Sequence, residues 1–341
     1  MKRLSIEWLL LIYFLAYAPY AVLTKLITSP RSGVVSRPLS GLETLPVALT
    51  LSSALLVVFI WRSGWWRAAT PMRGLGGFPG ATGATALAGV GATLLLVSVP
   101  LSYTFAGVSI PFVQLLMRGD IIIIAPIVDL LCGRKVRWYS WVAFALVLTG
   151  LAINVTARDG FHVPPLLVLI IVLYTIGYFI RLFVMTRIAK NADPAATQRY
   201  FVEERVVSIP LSLLVLAVIA LAVPGPQGEQ VHAGFTRAWS SDAIWLLVIQ
   251  SVALFVISIV SALILLDKHE NTYCVPLERS ASIIAGVVAS YVLAIGFGLP
   301  YPTRAELLGA ALLAIAVVVL SLGPRLGQPR VLFMNQPDSR P

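Results

Sequence analysis

Ten apolar segments, each close to the length needed to cross a bilayer, constrain this chain more than any other feature of its sequence. They span residues 6–27, 43–61, 80–102, 104–132, 138–156, 164–185, 203–223, 243–266, 271–298 and 305–322. Because a helix crosses the hydrocarbon core with about 20 apolar residues, the pattern predicts an all-α polytopic membrane protein with ten transmembrane helices. The composition is 58% hydrophobic and 12% charged, whereas soluble domains carry about a quarter charged residues. A soluble enzyme is therefore hardly compatible with this chain.

The N-terminus resembles a signal peptide, because Met1, Lys2 and Arg3 precede an apolar run. That run is longer than the roughly 7–15 residues of a signal-peptide core. We therefore expect the first segment to be a membrane helix that is retained.

The lysines and arginines are distributed unevenly between the loops on the two sides of the predicted helices. Fifteen of the 25 fall on the side of the N-terminus, and the opposite side holds Arg31, Arg37, Arg158, Arg237 and Arg304. Basic residues are enriched in short cytoplasmic loops. The bias predicts an integral protein of the cytoplasmic (inner or plasma) membrane with both termini in the cytoplasm. It also explains the formal charge of +10 without a nucleic-acid partner.

The fourth and ninth segments resemble each other. Residues 109–131 and 272–292 each contain a proline, then an arginine, then an apolar run with small residues, and the two copies superpose when Arg118 is placed on Arg279. The ninth segment is five spans further along the chain than the fourth, and because five is odd the second copy must be inverted. Inverted repeats that meet near the bilayer midplane are typical of secondary transporters. The division predicted is one five-helix repeat over 1–157, a second over 158–322, and a disordered cytoplasmic tail over 323–341.

The stretch 101–155 carries a family resemblance. It has a Tyr-Thr-x-Ala link at residues 103–106, a helix with a proline, a basic turn, and a helix ending at Gly150. The region 243–322 is similar, with Gly309 opening the last helix. This order resembles an EamA-type permease of the drug/metabolite transporter superfamily, although the turn at 132–135 reads Cys-Gly-Arg-Lys where that family often has Gly-Glu. The resemblance implies two inverted five-helix repeats around a central cavity, alternating access, and export or exchange of small metabolites.

Ionisable residues inside the spans are the best candidates for a functional site, because each costs at least ~2.5 kcal/mol at the centre of a membrane helix. Arg118 lies near the middle of the fourth segment, and at 100° per residue Gln114 and Asp129 fall within about 40° of it. Arg279 and Ser282 form the matching face of the ninth segment. Two arginines on one cavity could bind a carboxylate or a phosphate through paired hydrogen bonds.

The alternative is that the buried charges neutralise one another. Arg118 could pair with Asp120 or Asp129, and Arg279 with its neighbour Glu278. Adjacent residues on a helix point about 100° apart, which disfavours the second of these pairs.

Five further groups of residues carry weaker predictions. Asp120 and Asp129 are candidates for proton coupling, and Tyr17 lies in an aromatic stripe that could either stack a planar substrate or pack the bundle. Glycines of the third segment suit close helix approach. Charged residues near span ends are expected to reach the interface, with Glu204 able to balance Arg181, and aromatic residues flanking the spans are expected to anchor there. The charged residues near span ends are Lys25, Arg181, Glu203, Glu204 and Arg205. The aromatic residues that flank the spans are Trp65, Trp66, Trp138, Tyr139 and Trp141.

Motifs for catalysis and for ATP binding are missing from the sequence. It has no phosphate-binding GxxxxGK[ST] and no G-x-S-x-G, and the three histidines and two cysteines have no metal-ligand or disulfide spacing. We therefore predict no catalytic residue, no metal and no cofactor.

The leading hypothesis is a secondary transporter of a small polar metabolite, anionic or zwitterionic, working without ATP. Its partners would be the substrate, the lipid bilayer and, through Asp120 or Asp129, a proton; a homodimer is left open. The alternatives are a lipid-handling or structural membrane protein with internally paired charges, and an intramembrane enzyme.

Overall fold

The computed structural model of the protein describes residues 5–72, 77–102, 117, 124–156, 165–190 and 193–326. The predicted site residues Gln114, Arg118 and Asp120 lie outside the described residues, as does most of the predicted tail.

The described part of the chain is all-helical and contains no strand longer than an isolated bridge between Pro71 and Pro79. Its helices are α1 (Ile6–Thr28), α2 (Gly41–Arg62), α3 (Gly83–Ser102), α4 (124–131), α5 (Trp138–Thr156), α6 (Pro165–Ile188), α7 (Pro194–Ala222), α8 (Pro226–Phe235), α9 (Ile244–Leu265), α10 (Asn271–Phe297) and α11 (Arg304–Leu326). Among them, α1, α2, α6, α7, α9 and α10 are long and apolar enough to cross a membrane. These helices indicate a membrane-embedded protein.

Helix α7 begins nine residues before the apolar segment predicted from hydropathy. Asp193 caps it by accepting hydrogen bonds from the backbone N–H groups of Ala195 at 2.9 Å and Ala196 at 3.3 Å. Pro194 occupies the first turn, where its missing N–H costs nothing. The polar first residues of α7 are thus helical because Asp193 caps the helix, and not because their side chains are buried.

Helix α8 lies in the connection 224–242, which hydropathy alone does not mark as a helix. Pro226 starts it, and two glycines let it lie close to its neighbours. A Cβ on Gly228 would fall 1.9 Å from the carbonyl oxygen of Val223, and one on Gly234 would fall 2.7 Å from that of Glu43. The helix is therefore packed tightly against the ends of α7 and α2.

The long helices pack in a regular pattern. Helix α1 packs against α9 and α10, α2 against α9, α3 against α6 and α7, and α5 against α11. Helices α3 and α6 cross closely, since a Cβ on Gly91 would fall 2.6 Å from the Gly177 carbonyl oxygen. This confirms for Gly91 the close helix approach predicted from the glycines of the third segment.

Connections gather at two opposite ends of the bundle. One end, here called end A, is formed by residues 63–72, 77–82, 132–137, 189–190, 193 and 266–270. There the Arg134 guanidinium donates to the Lys190 carbonyl at 3.2 Å and the Lys190 ammonium donates to the Leu265 carbonyl at 2.7 Å. At the opposite end, end B, the backbone N–H of Ser36 donates to Asp242 at 2.7 Å. Hydrogen bonds between loops thus tie the helices together at both ends.

Candidate functional site

Two arginine–carboxylate pairs lie inside the bundle at one depth. Arg181 of α6, Glu204 of α7, and Glu278 and Arg279 of α10 each lie seven to ten residues from the terminus of their helix at end A. At a rise of 1.5 Å per residue this is about 10–15 Å from that end. We call these four residues, with Tyr178 of α6, the charge belt.

The ion pair between Arg181 and Glu204 is fully formed. The guanidinium Nε lies 2.6 Å from Glu204 Oε1, and Nη2 lies 3.5 Å from Oε2. The Glu204 side chain is completely buried and that of Arg181 is 12% exposed. The prediction that Glu204 balances Arg181 is confirmed, whereas the prediction that Glu204 extends to the interface is wrong because the ion pair holds it inside.

The pair Glu278–Arg279 is looser. Arg279 Nε lies 3.6 Å from Glu278 Oε2, and no hydrogen bond joins the two side chains in the described structure. Glu278 Oε1 accepts a hydrogen bond from the Ser261 hydroxyl at 2.7 Å, while Glu278 Oε2 and Arg279 Nε are buried and find no hydrogen-bond partner among the described residues. The argument from helix geometry against this pair was wrong, since two long side chains can bend towards each other across an angle of 100°.

Tyr178 lies between the two pairs. The Arg279 guanidinium carbon is 5.7 Å from the centre of its ring, within the range of a cation–π contact. Tyr178 also packs with Arg181, Leu182, Met185 and Leu265 around a gap too small to hold a water molecule. Among the described residues, the buried Tyr178 hydroxyl makes no hydrogen bond of normal geometry. The ring of Tyr178 thus lies next to both the hydrogen-bonded pair Arg181–Glu204 and the looser pair Glu278–Arg279.

Tyrosines of α1 and α6 continue the site. Tyr13, Tyr17 and Tyr20 follow one another along α1 with ring centres 5.6 and 5.8 Å apart, and Tyr174 lies 6.4 Å from Tyr178. Tyr13 and Tyr174 both belong to the buried core of the bundle. The aromatic stripe predicted around Tyr17 is confirmed, and stacking of a substrate on it remains a prediction.

Ser282 lies one turn after Arg279 and is buried. Its hydroxyl donates to the Arg279 carbonyl at 2.7 Å. Because the predicted residues of the fourth segment lie outside the described structure, the site as described consists of the charge belt and the nearby tyrosines.

Asp129 lies at end A rather than in the charge belt. Its carboxylate is completely buried and accepts four hydrogen bonds, from the backbone and side chain of Asn271 at 2.9 and 2.8 Å and from those of Thr272 at 2.7 and 2.8 Å. A carboxylate there satisfies the free N–H groups at the start of α10 and complements the helix dipole. This arrangement accounts for the burial of Asp129, and its predicted role in proton coupling stays a prediction.

Glu203 anchors the connection between α2 and α3. Its buried carboxylate accepts hydrogen bonds from the backbone and hydroxyl of Thr70 at 2.9 and 2.7 Å, from the Thr85 hydroxyl at 2.7 Å and from Arg199 at 3.0 Å. The predicted extension of Glu203 to the interface is therefore wrong. The signal that could have indicated burial is the run Glu203-Glu204-Arg205, since three charges at the start of an apolar segment need partners.

Trp65 is buried as well, contrary to its predicted role as an interfacial anchor. Its ring packs edge-on against Phe59 and Phe201, with centres 5.2 and 5.5 Å apart. Arg205 lies nearby, with its guanidinium carbon 5.4 Å from the centre of the Phe201 ring. Aromatic packing therefore closes the bundle between the belt and end A.

No group of three or more potential metal ligands occurs among the described residues. The contacts within the charge belt are ion pairs, hydrogen bonds and an aromatic contact.

Comparisons with known proteins bear on the fold. No family model matches the sequence, and no curated protein matches it. A solved structure, described only as the crystal structure of a protein, aligns with 95% of this chain and 100% of its own chain, with a TM-score of 0.61 and 16% sequence identity. At this identity the likeness shows that the two chains share a fold.

Proposed function

We propose that the protein is a secondary transporter, of the EamA type within the drug/metabolite transporter superfamily, that moves a small anionic or zwitterionic metabolite without ATP. The observation that carries the proposal is the charge belt, in which two arginine–carboxylate pairs lie at one depth on either side of Tyr178. Ionisable residues inside a membrane bundle are costly and commonly mark a substrate or ion pathway.

The packing of the helices supports an arrangement of ten spans in two inverted repeats. The proposed correspondence relates α1, α2, α3, α4 and α5 to α6, α7, α9, α10 and α11, with α8 as an addition. If each helix is replaced by its counterpart in the other repeat, the contact of α1 with α9 becomes the contact of α6 with α3. In the same way, the contact of α2 with α9 becomes the contact of α7 with α3. The contact of α5 with α11 maps onto itself. All of these contacts occur, as expected for repeats over 1–157 and 158–322.

The orientation follows from the basic residues of end A. Arg134, Lys190, Arg199 and Lys268 lie there, and the cytoplasmic side of a membrane protein is the side rich in such residues. End A is then cytoplasmic. Alternating access would require the hydrogen bonds between its loops to break when the transporter opens inwards.

Arg279 is the proposed contact for the anionic group of the substrate, with Arg118 as its counterpart in the first repeat. Gln114, Ser282 and Tyr17 would lie along the same path. Asp120 or Asp129 would couple transport to protons.

The alternative function is a lipid-handling or structural membrane protein whose buried charges only pair internally. The Arg181–Glu204 contact favours it, since both carboxylate oxygens of that pair face the guanidinium. The looser Glu278–Arg279 pair favours transport instead.

Reconstitution into proteoliposomes tests the proposal. We expect saturable uptake of at least one labelled metabolite from a panel of organic acids, amino acids and sugar phosphates. Uptake should be lost in Arg279→Gln and kept in Arg304→Gln, which removes an exposed charge from the start of α11. No uptake of any panel member by folded, monodisperse protein would contradict transport and favour the alternative.

A further inference from the structure

The connection after α2 places two exposed arginines at end A of the bundle. Helix α2 has 22 residues, which at 1.5 Å per residue span about 33 Å, close to the ~30 Å thickness of the hydrocarbon core of a bilayer. Its last residue, Arg62, therefore lies where the hydrocarbon core ends and the lipid headgroups begin. Arg67 follows in the short 3₁₀ helix Trp65–Ala68. Both arginines are exposed.

Hydrogen bonds and packing fix the turn that carries these arginines. The backbone N–H of Gly64 donates to the Trp61 carbonyl at 3.2 Å, and the backbone N–H of Arg67 donates to the Gly64 carbonyl at 3.1 Å. Gly64 has a φ of 74°, in the left-handed region that favours glycine. The buried Trp65 ring packs edge-on against phenylalanines of α2 and α7. The turn is therefore held to the bundle, and a ligand that binds it does not have to order the backbone.

The two guanidinium groups lack an acidic partner in the described structure. Residues 62–82 contain three arginines and no aspartate or glutamate, and among the described residues neither Arg62 nor Arg67 forms an ion pair. The buried Glu203 carboxylate, which contacts this connection, is already occupied by two threonines and Arg199. Clusters of basic residues next to a membrane helix attract anionic lipids.

Two tryptophans accompany the arginines. Trp61, in the last turn of α2, is 68% exposed, and tryptophan is enriched at the headgroup level of membranes. The guanidinium carbon of Arg67 lies 5.4 Å from the centre of the Trp66 ring, within the range of a cation–π contact. The N–H groups of a guanidinium lie in its own plane, so a ring beside it leaves donors for a phosphate. The turn thus combines two cations with aromatic surface at the depth of the headgroups.

We propose that Arg62 and Arg67, flanked by Trp61 and Trp66, form a binding site for the headgroup of an anionic phospholipid in the leaflet at end A. The phosphate diester accepts hydrogen bonds from the guanidinium groups. The acyl chains lie along the exposed apolar side of α2, which includes Val58. The site prefers an anionic lipid to phosphatidylcholine, because the choline cation would meet two arginines and no carboxylate.

Native mass spectrometry of the delipidated protein in detergent tests the site. Dioleoylphosphatidylglycerol is the anionic probe, and dioleoylphosphatidylcholine has the same acyl chains without a net charge. We expect the first bound lipid to be phosphatidylglycerol, with a preference of about 25-fold, since each arginine at a membrane surface contributes about fivefold. A third probe, sn-glycerol 3-phosphate, is a soluble phosphate without acyl chains and should not displace phosphatidylglycerol at the same concentration.

Two double variants distinguish this site from the general charge of end A. The variant Arg62→Gln, Arg67→Gln should lose the preference for phosphatidylglycerol, and Arg67→Gln alone should lose about fivefold of it. The control Lys135→Gln, Arg187→Gln removes two exposed positive charges from the same end of the bundle and should keep the preference. Melting curves in detergent show whether each variant is folded.

The outcomes decide the proposal without any transport assay. A preference that is lost only in the variants at Arg62 and Arg67 supports the site. An unchanged preference, or equal losses in the two double variants, would overturn it, because the preference would then belong to the basic end as a whole. Displacement of phosphatidylglycerol by glycerol 3-phosphate would also overturn it, since the turn would then bind a free phosphate. The site does not rest on the proposed function, and the absence of metabolite uptake would leave it standing.

Discussion

Asp129 joins the end of α4 to Asn271 at the start of α10, accepting hydrogen bonds from the Asn271 backbone at 2.9 Å and from its side-chain amide at 2.8 Å. The two residues are 142 positions apart in the chain and lie in the two proposed repeats. A single buried carboxylate therefore both caps a helix and links the two parts of the chain.

Replacing Asp129 by alanine should destabilise the protein more than removal of an exposed cap. The change leaves two backbone N–H groups, one amide and one hydroxyl without their acceptor in a buried place, and each such loss costs about 1–3 kcal/mol. Asp193→Ala is the matched control, since it removes the exposed cap of α7, worth about 0.5–2 kcal/mol. The midpoint of thermal unfolding in detergent measures both. Equal shifts would contradict the structural role of Asp129.

Alkylation of Cys132 should show an unusual pH dependence. This thiol lies in the turn after α4, where burial raises its pKa; Arg187 opposes the shift and Asp129 adds to it. A raised pKa means less thiolate at neutral pH, and the thiolate is the reactive form. In a Cys274→Ser background we expect slow labelling of Cys132 by a maleimide at pH 7. Its labelling rate should keep rising at pH values where the labelling rate of glutathione, used as the reference thiol, no longer increases. A profile that follows glutathione would contradict this environment.

Gly91→Ala should separate α3 from α6. The new methyl group would fall 2.6 Å from the Gly177 carbonyl oxygen, and overpacking of a close contact costs about 1–3 kcal/mol. Gly296→Ala, near the exposed end of α10 with nothing within 4 Å of its Cβ position, should leave stability unchanged or raise it slightly. Unfolding midpoints of the two variants, measured side by side, decide the matter; equal effects would mean that the crossing is not tight.

The Arg181–Glu204 pair should behave as one structural unit. Arg181→Gln leaves a fully buried carboxylate without its cation, and breaking a buried pair in this way costs about 3–5 kcal/mol. The double variant Arg181→Met, Glu204→Met should recover much of that loss, because it removes both charges.

Arg199→Gln is the comparison for this pair, since the Arg199 side chain is 48% exposed and the buried Glu203 carboxylate would keep its hydrogen bonds from Thr70 and Thr85. We therefore expect a smaller loss of stability than for Arg181→Gln. Additive effects of the two single substitutions at Arg181 and Glu204 would show that the residues do not act together.

Hydropathy predicts the positions of most helices, because crossing a bilayer demands a long apolar run and little else. The polar start of α7 is missed by hydropathy, but Asp193 followed by Pro194 is a cap signal that is present in the sequence. Helix α8 is less accessible to prediction, since its position depends on how Gly228 and Gly234 fit against distant parts of the chain.

The candidate site is harder to predict than the helices. Arg279 can be singled out because a charge in a membrane helix is rare, yet its ring contact with Tyr178 depends on how α6 packs against α10. Burial of Glu203 and Glu204 likewise depends on partners up to 133 residues away. Sequence periodicity describes one helix at a time and carries no information about such partners.

The backbone contact between Gly91 and Gly177 has a consequence for movement. Helices α3 and α6 belong to different proposed repeats, and at this point the two glycines bring their backbones together, with the Leu94 side chain packed against Gly177. Such a contact resists separation but leaves rotation comparatively free. If the repeats rotate against each other during transport, this crossing would be the pivot. The largest displacements should then occur at the two ends of the bundle, where hydrogen bonds join the loops.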